Sequence, residues 1–192
     1  MNYFFLYVVS TGEIYTTPYF GNAIEWTNIP EGCAVIGPFD SATASATVKD
    51  AYLHPNYYIV QNGVLTAKTT MADLQLADAQ SSKLAQVKDL ADKSLYTTVT
   101  SNGVTYNYSA DSGYPAFQKL LLGVVAGIIT YPYTLYDVNH VAVSFATVGA
   151  LTLLFQDISV RENAVNTKIN DYVTQAKACT TVDQVNAIVV SF

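Results

Sequence analysis

The chain offers few residues for chemistry, and their spacing decides what they could do. Its two histidines, His54 and His140, both stand beside turns, His54 ahead of Pro55 and His140 in the stretch Asp137-Val138-Asn139-His140. A catalytic or structural metal site needs three or four converging ligands. No run of His, Cys, Asp and Glu here has ligand spacing. Cys33 and Cys179 lie far apart and have no local Cys-His arrangement that would activate a thiol. As a pair they leave two readings open, two free thiols or one disulfide. The carboxylates are scattered, mostly at helix caps and on polar helix faces, whereas glycoside hydrolysis needs two of them held across a groove. Gly-rich phosphate loops are absent. The expectation is a non-enzyme with no catalytic residue, no cofactor and no metal.

One acidic residue stands apart. From Leu151, the positions Leu151, Phe155, Ile158, Glu162, Val165, Ile169, Tyr172, Ala176 and Cys179 recur at steps of four and three, and all but Glu162 can be buried. With Arg161 beside it, Glu162 is either a point where the helix leaves its core or a registry device against a neighbouring copy.

The element carrying that stripe, residues 146–179, is predicted as one helix roughly 50 Å long at about 1.5 Å per residue. Either the rest of the chain covers it or copies of it associate. Composition favours partners: 51% of residues are hydrophobic and only 12% charged, against about 25% in a typical soluble domain. Fifteen tyrosines add large contact areas with polar tips, which suit interfaces. Fifteen acidic against nine basic residues leave a charge of -6 and no basic cluster, so nucleic-acid binding is not expected. The apolar run 120–129 is ten residues, short of the roughly 20 that span a bilayer, and reads as a buried core helix, so no membrane insertion is expected. The opening run lacks a basic region and alternates, which favours a strand over a signal peptide.

Taken in order, residues 2–9 and 13–17 read as a hairpin turning at Gly12, with Pro18 ending the second strand. Residues 21–29, with the only tryptophan, Trp26, read as a turn or short helical hook. Residues 33–36 are a short strand closed by Gly37-Pro38, and a weak helix runs to Leu53 from a cap at Asp40 or Ser41. Asn62-Gly63 and Asn102-Gly103 each sit between strand-like runs, the strongest short-range hairpin signal. Between them residues 70–95 are helical, with a weak seam through Ala77, Gln80, Leu84, Val87, Ala91 and Ser94 that packs on a neighbour or forms a short coiled coil. A helix begins near Tyr114-Pro115 behind Asp111 or Ser112, with apolar residues on nearly every face to Ile129. That pattern places it mid-domain, with Gly123 and Gly127 admitting another backbone. A third hairpin, 133–145, precedes the long helix, and Thr181 and Gln184 have capping-box spacing for a last helix ending at Ile188.

The fold class expected is α+β: a β-rich domain over residues 1–68, a connecting helix over 69–95, and a mainly helical domain with hairpins over 96–192. In that second part, LADKSLYTTVT, the hairpin SNGVTYNYSADS, the apolar FQKLLLGVVAGII, an aromatic hairpin, the long helix and the terminal AKACTTVDQVNAI follow one another. This succession resembles a domain of unknown function common in tailed-bacteriophage tail and tail-fibre proteins, over about residues 82–189. Tyr133 and Tyr136 stand where relatives often have Trp, and Thr, Ala and Tyr replace charged residues, which suggests more covered surface. The resemblance implies a tail context and no biochemical activity. The expectation is therefore a structural virion protein (tail fibre, fibre adaptor or tail-tip component) that binds other tail proteins and copies of itself. The alternatives are a tail-fibre assembly chaperone and a host-receptor protein binding glycan through its tyrosines and Trp26.

Overall fold

The structure, a computed structural model, describes residues 1–22 and 28–192, so Trp26 and most of the expected hook lie outside the described residues. The fold is α+β, with small antiparallel sheets and, among the described residues, five helices. Two compact units divide it, 1–78 and 79–192.

In the first unit β1 (Asn2–Val8) is the middle of a three-stranded antiparallel sheet, between β2 (Tyr19–Gly21) and β3 (Cys33–Asp40). Phe4, Phe5 and Leu6 are all buried, as both faces of a central strand require. The chain does turn at Gly12, where φ is +75°, but between β1 and residues 13–17 pairing is thin, a bridge from Tyr7 to Ile14. The regular ladder resumes beyond Pro18, where Tyr19, Phe20 and Gly21 face Phe4, Tyr3 and Asn2. Gly12 also lies against the next hairpin, its carbonyl accepting from the Val60 amide at 2.8 Å, and a Cβ there would clash with the Val60 carbonyl oxygen. That hairpin pairs β4 (Tyr58–Gln61) with β5 (Val64–Ala67) through Asn62 and Gly63, both at positive φ as a type I′ turn demands.

Two expectations for this unit are corrected. β3 does not stop at Gly37-Pro38; it runs to Asp40 through a bulge, because Gly37 at φ +124° absorbs the register shift against β1. The helix after it, α1 (Ala46–Leu53), is capped neither by Asp40 nor by Ser41 but by Ser45, whose Oγ accepts from the Val48 amide at 3.3 Å. Asp40 Oδ1 instead accepts from the Ala42 amide, a local turn that competes with helix entry. Phe5, Val48, Ala51, Tyr57, Tyr58, Val60 and Leu65 form the core. The Tyr57 hydroxyl donates to Asp78 at 2.6 Å and that of Tyr58 to Asp50 at 2.5 Å.

α2 (Met71–Leu95) crosses from one unit to the other. In the second unit its seam packs antiparallel on α4 (Val148–Ala178), with Val87 and Ala91 buried, so the packed reading of that seam holds. Gln80 donates to the Ala176 and Cys179 carbonyls at one end of this pair, and Arg161 donates to the Ser94 and Thr98 carbonyls at the other. The hairpins β6–β7 (Thr98–Ser101, Val104–Asn107) and β8–β9 (Tyr133–Tyr136, Ala142–Phe145) complete the unit, with α3 (Gly113–Val125) and α5 (Val182–Asn186). α5 carries the Thr181–Gln184 capping box and stops at Asn186, two residues early.

The stripe of α4 is covered from within the unit. Leu151, Leu154, Phe155 and Ile158 join Val99, Tyr106, Tyr108, Phe117, Leu120 and Phe145 in one core. The stripe therefore requires no second copy. α3 is not the central helix expected: Leu122, Val125 and Ile128 are 68%, 78% and 75% exposed. Its helix also ends at Val125, because Gly127 takes φ +67° and the Gly127 and Ile128 amides donate back to Val124 and Gly123, a Schellman closure. Gly123 faces the Ile129 side chain that this closure folds back, not a second backbone.

Candidate binding groove

His54 ends α1 with its ring stacked on Tyr57, centroids 5.2 Å apart, and His140 sits exposed at φ +59° in the turn of the third hairpin. Cys33 opens β3 in the first unit and Cys179 caps α4 in the second, each a free, half-buried thiol. Among the described residues no three of His, Cys, Asp and Glu are placed to hold a metal ion, and no helix is long and apolar enough to cross a membrane.

Glu162 is not an exposed point at which the helix leaves its core. It is half-buried, and its Oε1 accepts from the Tyr108 hydroxyl at 2.6 Å. Tyr108 ends the β6–β7 segment, held by a hydrogen bond from its amide to the Thr97 carbonyl. Its ring is 1% exposed, edge-on to Tyr114 at 5.6 Å and tilted against Phe117 at 5.7 Å. A carboxylate on an apolar stripe needs a donor, and a buried phenol needs an acceptor; each satisfies the other. Burial first, then the bond to Glu162, holds the Tyr108 phenol well above its ordinary value, so it stays a donor. Arg161, one residue back, donates to the Ser94 carbonyl in the last turn of α2 and to the Thr98 carbonyl at the start of β6.

This pair lies in the wall of a groove of about 520 Å³ within the second unit, between α3 and α4. Phe117 and Leu121 line one side, and Phe155, Ile158 and Val160 the other. Gln118, Gln156 and Asn163 contribute amides, and Glu162 is the one ionised side chain in the lining. Such a volume and such a mix of apolar wall and sparse polar groups suit a binding site. A phenol kept protonated on a carboxylate supplies no nucleophile; the pair is an acceptor for a ligand's donors.

The sequence pointed to Glu162 and Arg161 but not to Tyr108 or the groove. The available signal was the demand itself, since a lone carboxylate on a helix stripe requires a hydroxyl or cation in reach. Compared with known proteins, the chain matches no family model, no curated protein and no solved structure.

Proposed function

We propose that the chain is a structural component of a bacteriophage tail, a fibre, fibre adaptor or tail-tip protein, that works by protein–protein assembly. The observation that carries this reading is the outer strip of α3, where Leu122 and Val125 stand open to solvent on the helix and Ile128 does so just beyond its end. Apolar groups gathered on one exposed face mark an interaction surface more than a face built for water. The low charge of the chain and the resemblance of residues 82–189 to a tail-protein domain support the same reading. Its partners would be other tail proteins and further copies of the chain, and its place the virion. The test is mass spectrometry of purified particles: the chain is expected among the virion proteins, and its absence from them defeats the proposal.

A further inference from the structure

Resting on that assembly reading, we infer that the α3–α4 groove of the second unit takes a short apolar segment of a partner protein that presents a single lysine or arginine to Glu162. The groove's only ionised side chain is this carboxylate, and no lysine or arginine lines it. Among the described residues no basic group lies within ion-pair distance of Glu162; the Arg161 guanidinium, taken up by carbonyls of residues 94 and 98, feels its charge but makes no ion pair with it. A carboxylate accepts several hydrogen bonds, and the Tyr108 hydroxyl occupies only one oxygen. The chemistry that fits the remainder is a cation on an apolar stem.

The rims fit the stem. Leu122 and Val125 continue the strip of Gln118 and Leu121 along α3, and Val160 follows Gln156 along α4, all three apolar residues exposed. A groove with apolar rims and one charge in its wall is the form that receives an apolar segment with one anchored polar side chain. Glycan is the poorer occupant, because Phe117, Phe155 and Tyr108 are buried and offer no open ring face for a sugar.

The full-length chain is titrated with a capped amphipathic peptide bearing leucines at helical spacing and one central lysine, beside the same peptide with glutamine or glutamate at that position. Affinity is measured by calorimetry, and the site is read from side-chain amide NMR signals of Gln118, Gln156 and Asn163. The lysine peptide is expected to shift those signals and to bind about tenfold tighter than the glutamine peptide. Glu162→Gln, which keeps an oxygen for Tyr108, is expected to erase that difference. Gln156→Lys, at an exposed position that tolerates it, is expected to weaken the lysine peptide more than the glutamine one, and it serves the test even if the first variant fails to fold. Equal affinity of the lysine and glutamine peptides overturns the inference. So do tighter binding of the glutamate peptide, amide shifts with maltotriose but with no peptide, and self-association of the free chain that Gln156→Lys abolishes. A silent groove in a protein found in virions would defeat this inference alone; a responsive groove in a protein absent from virions would defeat the tail reading alone.

Discussion

At Glu162 a helix stripe made for burial admits a charge, and what makes that tolerable is one hydroxyl. Tyr108→Phe removes the donor, keeps the ring, and leaves the half-buried carboxylate without its partner. The cost expected is about 1–3 kcal/mol, read as a lower urea midpoint, while Tyr133→Phe on the same unit serves as a control and stays near wild type. An unchanged midpoint for Tyr108→Phe would mean that the pair contributes nothing to folding. Tyr57 and Tyr58 give a second reading at this scale. The hydrogen bond to Asp78 pushes Tyr57 up to about 12, and burial, then the bond to Asp50, does the same for Tyr58, from an ordinary 10.0. Because the folded values are raised, their contribution is complete below pH 10.0 and is lost as pH climbs through about 12. Tyrosinate absorbance is expected to include a late stage near pH 12. Tyr57→Phe is expected to shrink the late stage, and a single transition at the ordinary value would refute the assignment. None of this pairing was legible beforehand: a tyrosine's partner is fixed by tertiary contact, and this chain has fifteen candidates.

Elements whose signals are local were readable, and those set by competition between neighbours were not. Asn62-Gly63 and Asn102-Gly103 could be placed from two letters each, because only residues that accept positive φ close a two-residue hairpin turn. The Thr181–Gln184 box and the stripe of α4 were equally local, one a spacing of three and the other a period. The end of α3 was missed because its apolar letters continue to Ile129 and the stop is carried by a single glycine within them. Gly127→Ala is expected to cost about 1 kcal/mol, since a Cβ is disfavoured at φ +67° while open space surrounds it, so conformation is the whole effect. Thermal melts of Gly127→Ala and Gly127→Asn check this: asparagine tolerates that φ and is expected to fall between alanine and wild type, and alanine equal to wild type would rule out the closure. The β3 bulge and the Ser45 cap escaped for a related reason. Pro38 and Asp40 are strong local signals, and pairing with β1 and the Asx turn at Ala42 overrode them.

For the whole molecule, the structure moves the argument for assembly from one helix to another. The long stripe of α4 was the reason to expect copies joining along a seam, and that seam is filled by α2, α3 and the hairpins of its own unit. What stays open is the outer strip of α3, which the sequence had placed in the core. Apolar faces all round a helix signal burial only when something covers each face, and the letters alone do not say how many neighbours a helix has. If this strip joins copies of the chain, the protein in solution scatters as more than one 20.8 kDa copy, and the double change Leu122→Glu, Val125→Glu reduces it to one. Both positions are exposed, so the urea midpoint is expected to move by no more than about 0.5 kcal/mol, which separates lost association from lost folding. Light scattering across a dilution series carries the decision. A wild-type chain that is already a single 20.8 kDa copy at every concentration would exclude α3 as a face for self-association and leave it to a different tail protein.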